Sequence, residues 1–202
     1  MIKTLIATKN KGKIKEINKI LRNSKLKLKL YSLSDMKITD ICAEDGETFQ
    51  ENANKKSIFY SRLINNTLCV GDDSGLVVES LKGEPGVHSA RYAGNDSNDE
   101  RNIKKLLKEL KNTKNRKAKF VTVLSISKDG KLIKSFQGEV EGIILKERRG
   151  NNGFGYDPLF FYPSLNKTFA ELTTDQKNKI SHRAIALKKM RDYIQNNMEN
   201  FI

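Results

Sequence analysis

With 202 residues, 37% of them hydrophobic and 31% charged, the chain is long enough for one substantial core and too apolar to be disordered. No apolar run approaches the roughly 18 residues that cross a bilayer, and Met1–Asn10 carries only the short patch Leu5–Ala7, without signal-peptide features, so a cytoplasmic single-domain protein off the membrane is expected. The 38 Lys and Arg against 24 Asp and Glu give a formal net charge of +14, which favours anionic partners; with two His and two Cys, a zinc site is not expected and any metal should be a hard cation on carboxylates.

Taken in chain order, Ile2–Ala7 reads as a strand and Thr8–Lys13 as a loop, followed by a helix with Ile14, Ile17, Ile20 and Leu21 at helical spacing. Lys25–Ser32 reads as a second strand. Thr48 with Glu51 three residues on is a capping box, opening a helix to about Ile64. Leu68–Asp72 is expected as a short buried strand, with Cys69 a small buried hydrophobe, and Leu76–Glu79 as a separate extended piece. A second capping box at Ser97–Glu100 opens a helix striped by Ile103, Leu106, Leu107 and Leu110. Ala118–Ser127 and Lys131–Glu141 form a hairpin about Asp129–Gly130. Ile143–Lys146 and Leu159–Tyr162 read as strands, and Ser181–Asn196 as a helix with Ala184, Leu187, Met190 and Ile194 inward. Helices interleaved with strands, then a long hairpin, make a mixed α/β architecture. The basic residues Lys104, Lys105, Lys108 and Lys111 read as a solvated helix face, with no nucleic-acid-binding signature beside them.

Five stretches hold more polar and glycine content than packing requires. Thr8–Lys9–Asn10–Lys11–Gly12–Lys13 stands at a helix N-terminus, where free N–H groups and the positive dipole end suit a phosphate, whereas lysines there are unfavourable for the helix alone. Lys56 falls on the inward stripe Phe49–Ala53–Tyr60–Leu63, either snorkelling or pointing at an anion. Asp72 and Asp73, ending a buried strand before a Ser74–Gly75 turn, destabilise unless paired or ligated; they can hold a cation and orient water, and Glu44 and Asp45 upstream could complete the shell. Gly153–Phe154–Gly155–Tyr156–Asp157–Pro158 offers backbone approach and rings for a flat ligand, or is a plain turn. Ser181–His182–Arg183, preceded by Lys177, reads alone as a Ser-capped helix start with exposed His and Arg.

In this order the stretches, with Thr48–Phe49–Gln50–Glu51–Asn52–Ala53 and Ser89–Ala90–Arg91–Tyr92, resemble the inosine/xanthosine triphosphate pyrophosphatase family nearly end to end, save a more polar Arg149–Gly153. The resemblance implies a homodimer whose protomer has a long mixed sheet, flanking helices and two lobes around a nucleotide cleft. It implies magnesium-dependent hydrolysis of ITP, dITP and XTP to monophosphate and pyrophosphate. Asp73 would be the general base, and Glu44 and Asp73 would lie at Mg²⁺ with Asp72 supporting. Thr8, Asn10 and Lys13, with Lys9, Lys11 and Gly12 around them, would take the triphosphate together with Lys56. Ser74, Phe154, Gly155, Tyr156, Asp157, Lys177, His182 and Arg183 would hold base, sugar and phosphates, with N–H groups near Phe154–Asp157, His182 and Arg183 donating to the 6-oxo group. A pyrophosphatase for other modified nucleotides would share the acids but differ around Phe154–Asp157 and His182–Arg183. A nucleic-acid-binding module would use the charge and leave Asp72, Asp73 and Lys56 unexplained; no specific nucleic-acid binding is expected.

Overall fold

The computed structural model describes residues 1–22, 26–94 and 96–201. Seven strands pair in the order β2-β1-β3-β4-β5-β6-β7: β1 Ile2–Ala7, β2 Leu28–Ser32, β3 Leu68–Val78, β4 Lys117–Lys128, β5 Lys131–Ile144, β6 Phe160–Tyr162 and β7 Lys167–Thr168. The helices are α1 Lys11–Arg22, α2 Phe49–Arg62, α3 Asp99–Glu109, α4 Thr174–Ile180 and α5 His182–Asn196. The sheet is mixed: β2-β1-β3 is parallel, while β5-β6-β7 is antiparallel. The chain forms two compact units, the first of Met1–Asp73, Thr122–Gly138 and Arg183–Ile202, the second of Ser74–Val121 and Glu139–His182.

In the first unit the strand period of two sorts the core. Ile2 and Ile6 of β1 and Leu68 and Val70 of β3 pack with Ile17 and Leu21 of α1 and Leu187, Met190 and Ile194 of α5. The alternate residues Leu5, Ala7 and Cys69 pack with Tyr60 of α2. Both faces are therefore covered, which is why these parallel strands are almost continuously apolar. Cys69 is fully buried, and burial pushes its thiol up to about 12. In the second unit, Ile103, Leu106 and Leu110 of α3 pack with Leu76, Val78, Phe120, Val140, Ile144, Phe160 and Phe169. Each such side chain stabilises by about 1.5–3 kcal/mol through burial. Arg116 fastens the end of α3 to the end of β5, its guanidinium donating to the carbonyls of Leu110, Ile144 and Leu145 at 2.7, 2.6 and 2.9 Å.

The capping box at Thr48, the hairpin about Asp129 and Gly130 (φ 49° and 77°) and the inward stripe of α5 are as the sequence predicts. Other expectations are corrected. Leu68–Asp72 and Leu76–Val78 are one strand, because Ser74 and Gly75 continue the extended backbone where a turn was expected, and Glu79 opens a 3-10 turn beyond it. Ile143 and Ile144 end β5 and form no separate strand. The first helix begins at Lys11, inside the expected loop. Asn98, not Ser97, caps α3, its side chain accepting from the Arg101 N–H. Leu63 is exposed, as the helix has ended at Arg62. Helix α4, unanticipated, is opened by a capping box of Thr173 and Gln176. The expected start of the second strand, Lys25, lies outside the described residues, within which β2 begins at Leu28. Among the described residues no helix is long and apolar enough to cross a membrane.

Candidate active site

Asn10 immediately precedes helix α1, and its Oδ1 accepts the Lys13 N–H at 3.0 Å, while Thr8 Oγ1 accepts the Asn10 N–H at 3.2 Å. No acid stands in its first turn, and Lys11 and Lys13 do, against the dipole. The Lys13 ammonium reaches across to β3, 2.6 Å from Asp72 Oδ1 and 3.4 Å from the Asp72 carbonyl. Lys9 turns to the Thr39 carbonyl at 3.4 Å, and Lys11 is exposed.

Helix α2 supplies the second cation. Gly71 on β3 lets it approach, since a Cβ there would stand 2.2 Å from the Ala53 carbonyl oxygen and 2.8 Å from the Ser57 nitrogen. Lys56, buried to 5% exposure, donates to the Asp72 carbonyl at 2.6 Å, to Glu44 Oε2 at 2.9 Å and to Asp73 Oδ1 at 3.0 Å. Its ammonium therefore faces anions and does not snorkel to water. Burial alone would lower its pKa, but Asp73 and Glu44 outweigh that and raise it. Asn52 donates to Asp73 Oδ2 at 3.4 Å and to the Gly46 carbonyl, and accepts the Gly46 N–H at 2.8 Å, tying the segment that carries Glu44 to α2. Asp45 turns away to an exposed pair with Lys55.

The adjacent acids differ. Burial would raise the Asp72 carboxyl, but Arg183 and Lys13 hold it far below the ordinary carboxylate range. Arg183 Nε donates to Asp72 Oδ2 at 2.7 Å, and Arg183 Nη1 to Glu16 Oε2 at 2.5 Å. At Asp73 burial prevails over Lys56 and Lys13, and the carboxyl is raised. A raised carboxyl is a better proton acceptor, so Asp73 has the stronger basicity of the two.

In the second unit, Asp157 and Lys177 form a buried ion pair at 2.5 Å. The same carboxylate oxygen accepts the Phe154 N–H at 3.0 Å. Gly153 has φ +80°, and a Cβ on it would fall 2.0 Å from that oxygen, so the turn fits only glycine there. The Lys177 ammonium lies 4.9 Å from the Phe154 ring centre and 5.6 Å from that of Phe169. His182 stacks on Phe120 at 4.8 Å and 16°. Tyr156 is buried and donates to the Ser89 carbonyl at 2.9 Å, which joins two of the singled-out stretches, and the Gly155 N–H goes to Asp99 at 2.7 Å. Ser74 is half-buried on β3.

Ser181, His182 and Arg183 are buried, at 0%, 5% and 1% exposure, so the reading of an exposed helix cap is wrong: Ser181 ends α4, and the His182 and Arg183 side chains face inward. Two participants escape sequence reasoning. Glu16 sits in the Lys-rich Lys11–Lys19 stretch, its only signal an acid beside Ile17 on the apolar side of the helix; Asn52 gives none beyond its place after the capping box. Among the described residues no group of three His, Cys, Asp or Glu side chains is arranged as a metal cage.

The chain as a whole is similar to known proteins. The model of the Ham1 family matches residues 4–193. A Staphylococcus epidermidis protein called dITP/XTP pyrophosphatase is 47% identical over 192 residues, with 95% of each chain covered. One of the same name from Bacillus subtilis is 45% identical, covering 94% of this chain and 96% of its own. The solved Ham1 protein of Staphylococcus aureus superposes with TM-score 0.85 at 41% identity over 96% of this chain and 99% of that one. The HAM1 protein of Coxiella burnetii gives 0.86 at 36% identity over 97% and 100%. Likeness that runs from end to end at such identities places the chain in the Ham1 family.

Proposed function

We propose that this protein hydrolyses aberrant purine nucleoside triphosphates, dITP, ITP and XTP, to the nucleoside monophosphate and pyrophosphate, and so cleanses the nucleotide pool. The relatives' name supports the substrate class. The observation that carries the chemistry is Asp73: a buried carboxylate of raised pKa, hydrogen-bonded to Lys56 and Asn52. Asp73 takes a proton from the attacking water as its oxygen bonds to the α-phosphorus, and the bond from that phosphorus to the bridging oxygen breaks to release pyrophosphate. Thr8, Asn10, Lys13 and Lys56, with Lys9, Lys11 and Gly12 nearby, hold the triphosphate.

The donor set fits a magnesium ion. Glu44 and Asp73 converge on one ammonium, so two carboxylates already meet at a cationic point, and Mg²⁺ is ordinarily held by one or two carboxylates together with substrate phosphates. Glu44 and Asp73 would hold it; Asp72, paired to Arg183 and Lys13, supports from behind. Magnesium supplies charge neutralisation at the phosphates and acidifies water. Phe154 stacks on the base, and Ser74, Gly155, Tyr156 and Asp157 shape its surroundings. The Phe154 and Gly155 N–H groups donate to Asp157 and Asp99, and Arg183 to Asp72 and Glu16, so of the expected donors to the 6-oxo group we keep His182 and add Lys177, which lies beside Phe154. A 6-amino group there would set donor against donor, which disfavours ATP.

The whole chain is read as one functional domain acting in the cytoplasm as a homodimer, with no specific nucleic-acid binding. A panel of nucleoside triphosphates assayed for pyrophosphate release with and without Mg²⁺ tests the proposal: dITP and XTP far ahead of ATP support it, and equal rates on ATP and dITP overturn it.

A further inference from the structure

Four charges of the first unit, three of them buried, form a chain that the reaction above does not need in full. Glu16 (6% exposed) on α1 accepts from Arg183 (1%) on α5, Arg183 donates to Asp72 (0%) on β3, and Asp72 Oδ1 lies 2.6 Å from the Lys13 ammonium. Asp72 thus has one carboxylate oxygen on each cation. Its backbone carbonyl accepts from both Lys13 and Lys56. Asp72 is consequently the point on which two ammonium groups hang, and its side chain is held from behind by Arg183. Arg183 in turn faces two anions, Asp72 and Glu16.

We propose that Glu16 is a positioning residue: acting through Arg183 and Asp72, it fixes the Lys13 ammonium where a phosphate chain is received. The physical argument rests on burial. A guanidinium shared between two buried carboxylates is held in one orientation, because breaking either contact leaves an uncompensated charge away from water. Without the Glu16 charge, Arg183 loses one of these two carboxylate contacts and is drawn further onto Asp72, where it competes with Lys13. Lys13 then loses its fixed anchor and the phosphate site loses its preorganisation. The inference rests on the reading above that Lys13 meets phosphates.

Sign makes the test clean. Removing a negative charge from the neighbourhood of an anion site strengthens anion binding by simple electrostatics, whereas losing an anchor weakens it. Inorganic tripolyphosphate is titrated calorimetrically into the whole protein and into Glu16→Gln, with melting temperature recorded for each. The expected result is binding about 5- to 10-fold weaker in Glu16→Gln. Glu16→Asp, which keeps the charge one methylene short, should fall between the two and serves the same test where the glutamine variant does not fold. In a double-mutant cycle with Lys13→Met, the effect of Glu16→Gln should vanish, since the group it positions is gone. Unchanged or tighter binding in the folded variants overturns the inference while leaving the proposed function standing. Failure of the unmodified protein to bind tripolyphosphate overturns both, because there is then no phosphate site to position.

Discussion

The two units bury charge in contrasting ways. In the first, Lys13, Lys56 and Arg183 alternate with Glu16, Asp72 and Asp73 across α1, α2, β3 and α5, and the exposed Glu44 joins from the segment before α2. In the second, the buried pair Asp157–Lys177 sits against Phe154 and Phe169. A dense alternating network suits a ligand with several charges, since each group is held in place before the ligand arrives and little reorganisation remains. A single pair against aromatic rings suits a flat, neutral ligand with one or two polar edges. Under the proposed function the contrast assigns phosphate chemistry to one region and base choice to the other, and substitutions in each test that assignment.

The largest effect is expected at Asp73. Asp73→Asn keeps the shape and removes the base, so pyrophosphate release should fall by about 10²–10⁴-fold with the circular dichroism spectrum unchanged. Activity near that of the unmodified protein would show that the proton goes elsewhere.

Next comes Lys56→Met, which keeps the apolar stem. The sequence alone suggests little change in stability, but the structure gives this ammonium three oxygen partners. Loss of a buried partner of two carboxylates should therefore lower stability by ~3–5 kcal/mol, along with a collapse of turnover. Denaturant melts with and without Mg²⁺ check this; a cation at Glu44 and Asp73 should restore part of the loss.

The second unit answers to selectivity. Lys177→Met leaves the first unit's charges in place, so the preference for dITP over dATP should narrow by roughly tenfold, the equivalent of about 1.4 kcal/mol, while the variant still hydrolyses both. If turnover of both substrates drops in equal proportion, Lys177 serves the phosphates and the division between the two regions is wrong.

The smallest effect belongs to the surface. Lys104, Lys108 and Lys111 are exposed, whereas Lys105 lies 4.0 Å from the Tyr92 ring centre and donates to the Tyr92 carbonyl. Replacing the three exposed lysines by Ala should shift stability by no more than about 0.5 kcal/mol and leave turnover intact. It should weaken only a salt-sensitive attachment to DNA in the range of about 10⁻⁴–10⁻⁶ M, measured by fluorescence anisotropy at two ionic strengths. Tight, sequence-selective binding in the unmodified chain would instead assign the basic face a partner.

What the sequence by itself determined is whatever rests on short-range physics. The stripe of α5, the caps at Thr48 and the Asp129–Gly130 turn are set by neighbours within a few residues, so they are legible in one dimension. So is the oddity of Lys56 on an apolar stripe and of paired acids after Leu68–Val70, since an unfavourable local choice signals that something elsewhere compensates. The tertiary structure alone decided what compensates. Glu16 and Arg183 meet across 167 residues of sequence, and Asp72 and Arg183 across 111. Ser74 and Gly75 run on as strand because pairing within the sheet outweighs their preference for a turn. His182 and Arg183 are drawn inward, away from the exposed cap that their neighbours suggest, by Phe120 for one and by two buried carboxylates for the other. Burial of a charge is a property of its partners, and partners are brought together only by the chain's long-range folding.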